Sequence, residues 1–168
     1  TVYAGTFDYL VKQLNATTTA SIAPRTIGLL DIFGFESLAT NRFGQLCINY
    51  ANEKLQQKAV HDIFYSTKLE YESEGIEFQH VEYQDNEGVL SFLEGRNGLV
   101  DILLEECFRP RGNHRAFVQK IVGSGSKFVV PVRGRDNEFG IVHFAGTVTY
   151  QADDFIASNQ DKLPDDLK

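Results

Sequence analysis

The 168-residue chain has no tryptophan or methionine, only two cysteines, and no apolar run near the roughly 20 residues that a membrane-spanning helix needs. Cys47 and Cys107 form neither a CxxC pair nor a metal-ligand spacing, which argues against a disulfide framework and reads as two reduced thiols. The N-terminus carries no basic-then-apolar signal pattern, so the expected compartment is the cytoplasm, with no direct membrane insertion. Acid is missing from one stretch. Between Cys107 and Arg135 there is no Asp or Glu, while Arg109, Arg111, Arg115, Lys120, Lys127, Arg133 and Arg135 supply seven positive charges. The net charge of the whole chain is −7, which speaks against general binding of polyanions. A basic segment in an acidic chain is either a local contact for an acidic partner or a solvated face. What is present is ordinary for one domain's worth of globular chain: 42% hydrophobic and 23% charged residues, enough to bury a core.

Tyr3, Phe7, Leu10, Val11 and Leu14 recur at helical spacing and predict a helix over residues 2–14 with one buried face. A polar stretch leading to Pro24 reads as a loop. Residues 26–33, Thr-Ile-Gly-Leu-Leu-Asp-Ile-Phe, form a branched apolar run, the pattern of a strand covered on both faces. From Phe43 to about Tyr71 the spacing of Ile48, Ala51, Leu55, Ala59 and Ile63 predicts one long helix, capped by Thr40 or Asn41 and ended by Ser-Glu-Gly-Ile. Shorter helices are expected at residues 87–93, 98–106 and 113–122, the last two flanking the turn Phe-Arg-Pro-Arg-Gly. Residues 127–133 and 138–150 read as strands around Gly-Arg-Asp-Asn, most simply paired as a hairpin. The tail from Gln151 is polar.

Asp31-Ile-Phe-Gly34-Phe-Glu36 stands at the end of the apolar run, where α/β sheets place ligand-contacting loops. The pattern Asp-x-x-Gly suits a loop that holds Mg²⁺ near phosphates and brings a backbone N–H close to one of them, and it equally makes ordinary strand-ending turns. The longer context is more specific. Together with Phe43-Gly-Gln-Leu-Cys-Ile-Asn-Tyr-Ala-Asn-Glu-Lys-Leu-Gln-Gln57, which begins seven residues after Glu36, the hexapeptide closely resembles switch II and the relay helix of the myosin motor head. Glu74-Gly-Ile-Glu-Phe, Asp85-Asn86, Leu104-Glu-Glu-Cys and Val142-His-Phe-Ala-Gly-Thr-Val-Thr-Tyr150 resemble the same family in the same order, so the likeness covers almost the whole chain.

The resemblance implies that Asp31 supports a Mg²⁺ site through water, that Gly34 offers its N–H to the γ-phosphate of ATP, and that Glu36 pairs with an arginine of switch I. Gly34 and Glu36 are then the catalytic positions, and Asp31 and Gly34 the nucleotide-binding ones. The segment from Leu103 to Lys120 is similar to the helix-loop-helix of the lower actin-binding subdomain, with Phe108, Arg109, Pro110, Arg111 and His114 at its tip. An exposed aromatic beside positive charge suits an acidic partner with an apolar pocket, and filamentous actin fits. The alternative leaves Phe108 packed inward and the arginines merely solvated.

The fold expected is mixed α/β and mainly helical, part of a P-loop NTPase motor domain. It would contain one strand of the central sheet, a long relay helix, the helix-loop-helix and a small antiparallel sheet. Residues 1–36 would hold the first helix, loop, central strand and switch II, residues 37–79 the relay helix and relay loop, and residues 80–168 the lower actin-binding subdomain. The implied role is part of an ATP-driven motor of the actin cytoskeleton whose other partners are the rest of the head: P-loop, switch I and converter. Neither a P-loop nor a switch I sequence is seen, so the chain by itself is expected to hold no ATP or Mg²⁺ and to hydrolyse nothing. The rival reading is a stand-alone, non-catalytic actin-binding piece. Nucleic-acid binding is set aside because the basic stretch lacks aromatic stacking platforms.

Departures from the family pattern are Gly44 for a glutamate, Arg42 for a capping serine, Thr67 for an acidic residue and Phe78 for the relay tryptophan. His61, His80 and His143 each stand alone, a pattern commoner for core or surface histidines than for ligands. Glu105 and Glu106 are adjacent and point to different faces of a helix, which speaks against a catalytic carboxylate pair.

Overall fold

A computed structural model describes residues 2–18, 27–76 and 85–160, which divide into one compact unit ending at Ile32 and a second beginning at Phe33. The loop around Pro24, Phe78 and His80 lie outside the described residues.

In the first unit, helix α1 (Val2–Thr18) forms as its spacing predicts, yet it buries none of its residues. The apolar stripe of Tyr3, Phe7, Leu10, Val11 and Leu14 is 38–81% exposed, so the expected buried face is not met. The strand expected at residues 26–33 is not formed by its described residues, 27–33. Residues 27–33 have no regular structure, and Ile27 and Leu29 are 94% and 96% exposed. A strand exists only through a ladder partner, and among the described residues none pairs with this segment.

The second unit is mixed helix and sheet. Helix α2 (Phe43–Val60) runs through a five-residue π-helical segment (His61–Tyr65) into α3 (Ser66–Ser73). The single long helix expected is therefore continuous but underwound, with i→i+5 bonding, at one turn. Its C-terminus follows the sequence signal. Gly75 takes a left-handed φ of 71°, the Ile76 N–H donates to the Tyr71 carbonyl at 2.9 Å and the Gly75 N–H to the Glu72 carbonyl at 3.2 Å, the Schellman pattern. The N-terminus differs from expectation: Arg42 is the cap residue, and its N–H donates to Gln45 Oε1 at 2.9 Å. Asn41 is used elsewhere, donating to the Leu38 and Thr149 carbonyls at 3.0 Å and so tying the preceding loop to the sheet.

Helices α4 (Glu87–Glu94), α5 (Leu99–Phe108) and α6 (His114–Gly123) fall within two residues of their predicted limits. The sheet is antiparallel in the order β1 (Val129–Pro131), β2 (Glu138–His143), β3 (Gly146–Gln151). The run expected as one strand from 138 to 150 is thus two, reversed at Phe144-Ala145 with His143 opposite Gly146. That pair carries none of the usual hairpin residues, which explains why the reversal is invisible to the pattern. A short helix α7 (Phe155–Asn159), unexpected in a polar tail, closes the core with Phe155 and Ile156.

The core gathers Leu46 from α2 with Leu93, Leu99, Leu103, Phe117, Ile121, Phe139, Ile141, Val148, Tyr150 and Phe155 from α4, α5, α6, β2, β3 and α7. Phe117, Phe139 and Phe155 meet pairwise with ring centroids 5.7 Å apart. Each such side chain contributes about 1.5–3 kcal/mol on full burial, enough to make this unit the rigid platform for its loops.

Candidate functional site

Two loops carry the residues predicted to be functional. In the first, Asp31 is exposed and belongs to the first unit, whereas Gly34 and Glu36 begin the second. Gly34 is open: a Cβ added there would meet nothing within 4 Å. The Glu36 backbone is clamped by one side chain of α2. Its N–H donates to Asn49 Oδ1 and its carbonyl accepts from Asn49 Nδ2, both at 2.7 Å. Asn52, one turn on, donates to the Phe33 carbonyl at 3.1 Å. The Glu36 carboxylate is left in tension with its surroundings, because Oε2 is shielded from solvent and has no hydrogen-bond partner among the described residues.

Behind Asn49 lies a buried polar chain that the sequence analysis missed. Asn49 Nδ2 donates to the Tyr150 hydroxyl at 2.7 Å, which is 2.8 Å from His143 Nε2; His143 Nδ1 is 3.0 Å from Glu53 Oε1. Glu53 Oε1 also accepts from the Phe144 N–H at 2.9 Å, and Oε2 accepts from Asn86 Nδ2. One proton arrangement makes all of these bonds, the tyrosine donating to Nε2 and Nδ1–H to the glutamate, and leaves Asn86 Oδ1 buried without a partner among the described residues. Burial pushes the Glu53 carboxyl up, but the bonds from His143, Asn86 and Phe144 outweigh it and hold the carboxyl below its ordinary value of 4.5. The Tyr150 hydroxyl is pushed up, chiefly by burial.

The face of α2 turned inward is therefore Leu46, Asn49 and Glu53. Of the apolar stripe that predicted the helix, Ile48 is half-buried and Ala51, Leu55, Ala59 and Ile63 are exposed. A signal existed: Asn49 and Glu53 follow Leu46 at spacings of three and seven, and polar groups on a core-facing stripe require partners. Nor is His143 solitary. Phe35 packs edge-on against both it and Phe144, with ring centroids 5.4 and 5.7 Å apart.

The second loop joins α5 to α6. Phe108 is 79% exposed, which decides between the two readings of that residue in favour of the outward one. Arg109, Pro110 and Arg111 are exposed and His114 is half-buried. The Gly112 N–H donates to the Arg109 carbonyl at 2.9 Å across a turn with Pro110 second and Arg111 third at φ 65°, as a type II turn requires. Asn113 caps α6 by accepting from the Ala116 N–H at 3.0 Å.

Much of the basic stretch is neutralised by carboxylates from outside it. Arg115 pairs with Asp136 at 3.2 Å and Arg135 with Glu138 at 2.6 Å, while His114 Nε2 is 3.7 Å from Asp153. Lys120 takes both Glu105 and Glu106, at 2.7 and 2.8 Å. The two glutamates do occupy different faces, one exposed and one fully buried. His61 stacks on Tyr65 at 4.8 Å on the helix surface. Among the described residues no three His, Cys, Asp or Glu side chains come together to hold a metal, and no helix is long and apolar enough to cross a membrane.

Comparison with known proteins adds a family. The family model of the myosin head (motor domain) matches residues 1–168. Myosin-51 of Schizosaccharomyces pombe is 39% identical over 99% of this chain, and unconventional myosin-VIIb of Mus musculus is 40% identical over 99%. Protein OPAQUE1 of Zea mays is 40% identical over 97%. The chain spans 12%, 8% and 11% of the lengths of these three relatives.

Proposed function

We propose, from the premise that this chain belongs to the myosin head (motor domain) family, that it supplies the nucleotide-sensing loop, the relay helix and an actin-binding helix-loop-helix of an ATP-driven motor of the P-loop type. The observation that carries the nucleotide half is the orphaned Glu36 oxygen. A carboxylate oxygen shielded from water and unpaired costs on the order of 1–3 kcal/mol or more, so it calls for a cation. The arginine of switch I is the partner that the family resemblance offers.

The loop fits ATP and Mg²⁺ in three respects. The open face of Gly34 allows close approach to the backbone, Asp31 keeps an exposed carboxylate, and Glu36 awaits a positive group. Asp31 would act as one contributor beside ligands from elsewhere in the motor. Bound ATP supplies the transferable phosphoryl group, and Mg²⁺ neutralises its charge. Gly34 then orients that group through its N–H, and Glu36 holds the attacking water in place once paired. Asn49 and Asn52 tie the position of the loop to the helix through which it is read out, and the π-helical turn at His61–Tyr65 is where that helix can change pitch. On this reading residues 1–36, 37–79 and 80–168 are the sensor, relay and actin-binding parts, and the protein works in the cytoplasm on the actin cytoskeleton.

The test is Glu36→Ala in the full motor. Turnover should fall by about 100-fold or more while nucleotide still binds; a normal steady-state ATPase would sink the assignment. One observation favours the narrower reading, an actin-binding piece without nucleotide control: the loop of Phe108 to Asn113 is fully formed by this chain alone. That reading predicts no effect of ATP on actin affinity in the parent protein.

A further inference from the structure

We propose that Glu106 is the positioning residue of the partner-binding loop and that Arg111, not Arg109, presents the loop's charge to the partner. The proposal rests on the actin reading above. Glu106 lies in the last turn of α5, fully buried beneath the loop. Its Oε1 accepts from Arg109 Nη1 at 3.1 Å, at the start of the loop, and from Lys120 Nζ at 2.8 Å, on the far helix. One carboxylate thus staples α5, the loop and α6. The backbone repeats the constraint. A Cβ added at Gly112 would stand 1.8 Å from the Glu106 carbonyl oxygen, so the returning chain presses directly on this residue and only glycine fits.

A buried carboxylate deprived of its cations is strongly unfavourable, so the arrangement with both cations is enforced. Burial raises the Glu106 carboxyl, but Lys120, the Asn113 backbone and Arg109 overcome it and keep the carboxyl below its ordinary value. The consequence for the tip follows from what is left over. Arg109 is committed to Glu106, Lys120 to both glutamates, Arg115 to Asp136, and His114 faces Asp153. Arg111 is exposed, with no carboxylate partner among the described residues. It is held at a left-handed φ of 65° that a non-glycine residue adopts only where its surroundings dictate it. The staple and the turn supply that dictation, and they leave Arg111 exposed on the same short loop as the exposed Phe108, charge and apolar knob three residues apart.

The experiment uses the intact motor head with Glu106→Gln, Arg109→Ala and Arg111→Ala. Two quantities are read: amide hydrogen exchange without partner, and co-sedimentation with filamentous actin across a salt series. Glu106→Gln and Arg109→Ala should each raise exchange at the Gly112 and Asn113 amides by about tenfold, with Phe117 and Ile121 unchanged, and weaken actin binding several-fold without altering its salt dependence. Arg111→Ala should leave exchange unchanged and flatten the salt dependence. Unchanged loop exchange in Glu106→Gln, a rise spread through α5 and α6, or a flattened salt dependence in Arg109→Ala in place of Arg111→Ala would each overturn the proposal. If loop exchange rises as expected but neither Arg111→Ala nor Phe108→Ala changes actin binding, the actin reading itself fails and the loop serves a different partner.

Discussion

Around Phe108 to Asn113 the chain closes on itself: Glu106 gathers Arg109 and Lys120, Gly112 completes a turn, and Asn113 caps the next helix. From Phe33 to Glu36 the backbone hangs from Asn49 and Asn52, Gly34 is open, and a carboxylate oxygen is left without a partner among the described residues. The first loop is braced on both sides by its own chain, with both cations on Glu106 Oε1, although Glu106 Oε2 is also buried without a partner among the described residues. The second is held at one side only, as suits an element whose other side belongs to a ligand and to another part of the protein. Lesions in the finished parts should therefore register in the protein's own stability, and lesions in the open loop should register only in function.

The largest stability effect is expected at the polar chain that joins the open loop to the sheet. Glu53→Ala strands His143, Asn86 and the Phe144 N–H in the core, and denaturant unfolding should show a loss of about 3 kcal/mol. The same group gives a pH dependence. Its folded value lies below the ordinary 4.5, so its contribution is present above that value and is lost as pH falls through the folded value. Glu106 adds to the loss with the same sign. Unfolding midpoints should fall below pH 4.5, and fall less in Glu53→Gln.

Smaller effects sharpen the contrast between the loops. Asn113→Ala removes a side-chain cap and should cost about 1 kcal/mol. Gly44→Ala lies in the first turn of α2 with nothing within 4 Å of the new methyl group, and should stabilise by about 0.5–1 kcal/mol. Asp31→Asn and Gly34→Ala should change stability by no more than about 0.5 kcal/mol while disabling the motor. A loss of several kcal/mol in either would mean that this loop is structural after all.

How much of this was legible beforehand follows from what periodicity measures. Helices α4, α5 and α6 were placed closely because their apolar stripes meet one another within the chain. The same rule misled at α1 and at residues 27–33, where the apolar pattern is real but no described residue of that unit covers it. The stripe Ile48, Ala51, Leu55, Ala59 and Ile63 located the long helix while misidentifying its inward face, which is built from Leu46, Asn49 and Glu53. Such buried polar residues are invisible one at a time, because each is explained only by partners as much as 101 positions away, as Asn49 is by Tyr150. The tip residues Phe108 to Arg111 were singled out by the family resemblance, and composition showed only that they lie in a basic stretch. The division of labour between Arg109 and Arg111 was not, because Glu106 and Lys120 had first to be brought beneath them.

The most direct measurement is single-turnover hydrolysis of ATP, without actin, by intact motor heads carrying Glu36→Ala or Phe108→Ala. The account predicts a hydrolysis step at the unmodified rate in Phe108→Ala and none in Glu36→Ala. Hydrolysis at the unmodified rate in Glu36→Ala would contradict it, since the orphaned oxygen would then have no part in the chemistry that this loop is proposed to sense.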